Sequence, residues 1–106
     1  MKKKENQIVL ESKFTKELKR IHDYIKSNLS APQAAERFVK KVRKEVQRLK
    51  EAPRLHPKIY RIKDLRFEFR KVVVNNYIFI YTIDDNENKI YVTNIFYSGS
   101  NYMEKI

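Results

Sequence analysis

Between residues 12 and 29 the apolar positions Phe14, Leu18, Ile21, Ile25 and Leu29 recur at intervals of four, three, four and four. That interval returns to one side of a helix each turn, so the spacing predicts an amphipathic α-helix. Lys13, Lys16, Lys19, Arg20 and Lys26 fall mostly away from its apolar side. Ser12 stands where an N-cap would accept from the unpaired amides of the first turn. A second helix is expected to bury Ala35, Phe38, Val42, Val46 and Leu49, with Arg37, Lys40, Lys41, Lys44 and Arg48 on its other side. Ser30 and Gln33 have the spacing of a capping box, Pro32 is tolerated in a first turn, and Pro53 ends the helix. A connection of about three residues makes the two helices an antiparallel hairpin.

The period then changes. RFEFRKVVV, YIFIYTID and KIYVTNIFY are β-branched and aromatic runs, separated by NN (75–76) and DNEN (85–88), both hairpin-turn sequences. The middle run is apolar at odd and even positions alike from Tyr77 to Ile83, the pattern of a strand covered on both faces. NQIVLE (6–11) reads as a further short strand, and PRLHPKIYRIKD (53–64) as a loop with a brief extended piece around 59–62. The expectation is an α+β fold in the order β-α-α-β-β-β, a single domain over 1–106. In it the helical hairpin packs on an antiparallel meander, and the first strand joins the sheet edge.

Composition narrows the class. With 106 residues and no cysteine, neither a disulfide framework nor a cysteine metal site is possible. That usage agrees with a reducing cytosol. MKKKENQ is basic, but the IVL behind it is too short for a signal-peptide core or a membrane span, so the expected location is cytoplasmic, off the membrane. The formal net charge of +11 is uneven: residues 1–63 carry +12 and residues 64–106 carry −1. A basic, helical front half calls for a polyanionic partner, either nucleic acid or an acidic protein.

Arg70 and Lys71 enter the most apolar hairpin and, by strand alternation, point to opposite faces. Arg70 is the expected working residue and Lys71 a solvated strand end. Glu68 lies on the same face as Arg70 and is expected to pair with it. His56 reads as an exposed loop residue and His22 as a surface or helix-packing residue. No His-x₃-His or comparable cluster exists, so no metal is expected, and no cofactor. Tyr77, Phe79 and Tyr81 are needed as core, whereas Tyr91 and Tyr97, on an outer strand, are better placed to meet a partner. The basic side of the second helix (Arg37, Lys40, Lys41, Lys44, Arg48) is the other candidate partner surface.

The element order, APQAAERFVKKVRKEVQRLKEAP with its closing proline, and above all FRKVVVNNYIFIYTIDDNENKIYVTNIFYSGSNY resemble the RelE/ParE superfamily. Its members are toxins of bacterial type II toxin–antitoxin modules. The resemblance implies growth inhibition by the free chain and silencing by a cognate antitoxin, of the kind that wraps its toxin and folds on it. One branch cleaves messenger RNA on the ribosome without a metal, by attack of a 2′-hydroxyl on its neighbouring phosphate. On that branch Arg70 would stabilise phosphorane charge, and Tyr97 or Tyr102 would move protons. The chain departs from it: Ile78 stands where an arginine is usual, Ser100 or Asn101 where a basic residue is usual, and Tyr97 where a histidine or its equivalent is usual. One lost electrostatic stabiliser costs about 10²–10³ in rate. The other branch, ParE-like, traps DNA gyrase through surfaces and needs no such constellation. A degenerate member that only binds its antitoxin is the third reading.

Overall fold

The computed structural model describes residues 6–59 and 68–100. Strand β1 spans Gln7–Leu10, helix α1 Ser12–Asp23, and α1 runs on into a π-helical stretch, Tyr24–Asn28. Helix α2 spans Pro32–Arg48, followed by β2 (Phe69–Val74), β3 (Tyr77–Asp84) and β4 (Lys89–Tyr97). The sheet order is β1-β4-β3-β2. The last three strands form the expected antiparallel meander, with Val72 opposite Phe79 and Phe79 opposite Ile95. β1 joins the edge as expected but runs parallel to β4, with Gln7 beside Lys89 and Leu10 beside Val92, so the sheet is mixed.

Both turns use the predicted chemistry. Asn75 adopts the left-handed conformation (φ 54°) that a tight hairpin requires, and the carboxylate of Asp84 accepts from the amides of Asn86 and Glu87. A register shift at Ile80/Tyr81 leaves Thr93 as an extra residue in β4. Its effect is to switch β4's parity, so that Ile90 and Val92 before it and Ile95 after it all face the helices.

The helices cover one sheet face. Phe14 and Ile21 from α1, with Phe38, Val42, Val46 and Leu49 from α2 and its end, pack on Val72, Val74, Phe79, Tyr81, Ile83, Ile90, Val92 and Ile95. Phe14 meets Phe79 edge to face at 6.2 Å, a geometry that aligns ring edge with ring face. On the opposite face Ile59, Ile78, Ile80 and Phe96 form a second cluster against Phe69. That explains why β3 is apolar at both parities: from Ile78 to Ile83 every residue is buried.

Three local expectations are corrected. Glu11, not Ser12, is the N-cap of α1, and the Ser12 carbonyl instead accepts from the Thr15 hydroxyl at 3.0 Å. The Ser30–Gln33 capping box does not form, because Ser30 takes φ 49° to reverse the chain, and Ala31 becomes the cap of α2. Leu29 is exposed rather than packed under α1. Its amide bonds the carbonyl of Tyr24, five residues back, so the widened turn carries Leu29 off the face that a regular α-helix would give it. The extended piece expected at 59–62 lies outside the described residues beyond Ile59. No helix among the described residues is long and apolar enough to cross a membrane.

Candidate functional site

Arg70 shares its sheet face with Val72 and Val74, the face that the helices cover. At 6 % exposure it is one of the few buried polar side chains among the described residues. Its Nη1 donates to the carbonyls of His56 (2.6 Å) and Arg54 (3.1 Å), and its Nη2 forms the expected ion pair with Glu68. Lys58 reaches the same carboxylate at 3.4 Å. The loop so gripped is fastened elsewhere too. The Tyr81 hydroxyl donates to the Pro53 carbonyl at 2.5 Å, Arg54 pairs with Asp85 at 2.6 Å, and backbone bonds join Ile59 to Phe69 and Lys71 to Pro57. Burial raises the Tyr81 hydroxyl to about 12, so it stays a donor throughout the ordinary pH range. His56 is half-buried, its ring edge-on to Tyr81 at 6.3 Å, rather than exposed as expected.

The centre of the other sheet face offers little charge. Phe69, Ile78, Ile80, Thr82, Asn94 and Phe96 alternate there with a half-buried Lys71. Tyr91 also faces that side, but β4 lies inside the sheet, flanked by β1, and is not the outer strand the sequence led us to expect. Tyr97 ends β4 at 56 % exposure, its ring against Tyr77 at 5.8 Å. Gly99 passes so close that a Cβ there would stand 2.6 Å from the Tyr97 ring, so a larger residue would push that exposed ring aside. Tyr102 lies outside the described residues.

A groove of about 810 Å³ with a largely apolar wall lies between β1, α1 and α2. Ile8, Leu10, Phe14, Leu18, Val39, Val42 and Val46 line it, while Lys19, Arg43 and Lys50 stand on its rim. Sequence reasoning did not single out Arg43 and Lys50, which the structure brings to this groove. The signal was available, since Val39, Arg43, Val46 and Lys50 recur at helical spacing on a side of α2 different from that of Arg37, Lys41 and Lys44. Those three, with Lys40 and Arg48, are exposed as expected.

His22 sits between the helices at this groove. Its Nε2 lies 2.8 Å from Glu36 and its Nδ1 3.1 Å from Asp23. Only the imidazolium can donate from both nitrogens. The hydrogen bond to Glu36, then that to Asp23, raises His22 above the usual 6.5, and the same contact lowers Glu36 below the usual 4.5. The tie from His22 is thus complete below its unfolded value and fades as pH climbs through the raised folded one. The contribution of Glu36 fades in acid, as pH falls through its lowered value. Wild type is expected to lead His22→Gln in denaturant midpoint at pH 6, and the lead is expected to shrink as pH rises through the raised folded value. Equal pH slopes for the two proteins would dismiss the tie. Among the described residues no group of three or more potential metal ligands exists.

With this geometry in place, residues 8–102 match the family described as the ParE toxin of the type II toxin–antitoxin system parDE. No curated protein sequence matches the chain. Among solved structures, the chromosomal ParDE toxin–antitoxin system from P. aeruginosa aligns with a TM-score of 0.68 at 14 % identity, covering 87 % of this chain and 95 % of that one. The archaeal RelE–RelB complex from Pyrococcus horikoshii OT3 gives 0.63 at 13 % identity, over 91 % and 98 %. The isolated E. coli RelE toxin gives 0.56 at 12 %, over 94 % and 92 %. At these identities the solved structures bear on the fold alone.

Proposed function

This chain belongs to the ParE toxin family of type II toxin–antitoxin systems, and we propose that it arrests bacterial growth in the cytoplasm by acting on DNA gyrase rather than by cleaving RNA. The observation that carries the choice is the position of Arg70. A cation that stabilises a phosphorane must meet the phosphate as charge develops. The Arg70 guanidinium instead lies on the helix-covered face, buried, with its two terminal nitrogens given to Glu68 and to the carbonyls of Arg54 and His56. Ile78, at the position where a second cation is usual in the RNA-cleaving branch, belongs to the apolar cluster of the other face. An inhibitor that works by surface contact requires none of this. The test is to incubate the purified chain with gyrase and supercoiled plasmid, and in parallel to map cuts in translated messages by primer extension. Gyrase-linked DNA breaks with intact messages are expected; cuts inside codons overturn the reading, and silence in both assays would leave a member that only binds its antitoxin.

For the cognate antitoxin, the seat we propose is the groove between β1, α1 and α2. An amphipathic segment can lay its apolar side on Ile8, Leu18 and Val39 and bring carboxylates to Lys19, Arg43 and Lys50. A disordered segment that folds on arrival gives up chain entropy there, so affinity depends on the apolar wall and speed on the rim charges.

A further inference from the structure

A second concavity lies at the far end of the helical hairpin, apart from both sites above. It measures about 590 Å³, and its walls include Tyr24, Leu29, Phe38, Asn75, Tyr77 and Tyr97. Two of its three tyrosines present their rings to solvent, Tyr24 at 48 % and Tyr97 at 56 % exposure. Tyr77 lies between them, backed by Phe38 at 5.0 Å and Tyr97 at 5.8 Å. The π-helical stretch builds one wall: Tyr24 opens it, and the widened turn delivers Leu29 to the cleft instead of the core.

The charge beside this cleft is not scattered. Arg37, Lys41, Lys44 and Arg48 follow one another at four, three and four residues, a single stripe along α2. The stripe starts next to Phe38 and is joined to the cleft by Lys41, whose Nζ donates to Asn75 Oδ1 at 2.9 Å. Of these four, Arg48 alone has an ion-pair partner among the described residues, Glu45 at 3.1 Å. Exposed rings with flanking amides, at the head of a row of cations, are the parts of a platform for unpaired nucleotides. A duplex keeps its bases stacked and has none to offer the rings. The apolar wall of Ile25, Leu29 and Ala34 suits the methyl group of thymine, which uracil lacks.

We propose that the tyrosine cleft and the Arg37–Arg48 stripe together bind single-stranded DNA, with bases stacked on Tyr24 and Tyr97 and phosphates along α2. The inference stands on this surface alone and does not depend on the target proposed above.

Fluorescence anisotropy with labelled oligothymidylate of about 15 nucleotides tests it, beside oligouridylate and a duplex of equal length. Oligothymidylate is expected to bind tightest. Tyr24→Ala with Tyr97→Ala is expected to weaken it by about tenfold or more, while Tyr97→Phe keeps wild-type binding. Lys44→Gln is expected to shrink the slope of log affinity against log salt by about 0.7. Both tyrosines are half-exposed, and a matching thermal midpoint in the double variant establishes that the fold survives. No binding at low salt, equal binding of the duplex, tighter binding of oligouridylate, or an unchanged double variant each overturns the proposal.

Discussion

Replacing Arg70 with alanine is expected to destabilise the fold by about 3 kcal/mol, the low end of the range for breaking a buried ion pair. The low end applies because Glu68 keeps 30 % of its side-chain exposure and regains water once its partner is gone. The two loop carbonyls lose their donors as well, and each buried acceptor left unpaired costs about 1–3 kcal/mol where water does not reach it. Arg70→Met restores the packing volume but not the donors, so it is expected to recover part of the loss. Equilibrium unfolding in urea measures all three. If Arg70→Ala unfolds within about 1 kcal/mol of wild type yet abolishes growth arrest, Arg70 acts on the target and is not the loop's anchor.

Val39→Glu is expected to weaken antitoxin binding by about 10²–10³, the range of a central interface residue. Val39 is half-buried in the groove and lies outside the helix-side core, so a carboxylate there leaves the fold intact. It places charge on the apolar wall, and against an acidic segment it adds repulsion of like sign. The phenotype should be lopsided: cells expressing the variant stop growing, and co-expression of the neighbouring open reading frame no longer rescues them. Full rescue of Val39→Glu would move the antitoxin to another surface.

The helical hairpin and the meander were legible because each follows from one short-range period. Phe14 to Ile25 repeats at the helical interval, and the doubly apolar Tyr77–Ile83 run could only be a covered central strand. The direction of β1 was not legible, since Ile8 and Val9 look the same whichever way the strand runs. Its register depends on Lys89–Val92, at the opposite end of the chain. Arg70 shows a second limit. Alternation set it opposite Lys71, but Val72 and Val73 give each parity a valine, so nothing local tells which face the helices cover. The caps failed for a related reason: Ser30 has the right neighbours, but the chain reversal claims its backbone. The groove rim was overlooked because lysine and arginine lie nearly all around α2, although the spacing of Arg43 and Lys50 with Val39 and Val46 already sets them on a side of their own.

The parallel partnership of the first strand with the last has a consequence for biosynthesis. Ile8 and Leu10 form one wall of the groove proposed for the antitoxin, and among the described residues β1 has β4 as its one neighbour in the sheet. During translation those residues leave the ribosome well before Lys89–Val92 and wait, unseated, until that strand follows. A nascent chain therefore has no finished docking surface until β4 has emerged, and an antitoxin that reads this groove engages chains in which the last strand is already in place.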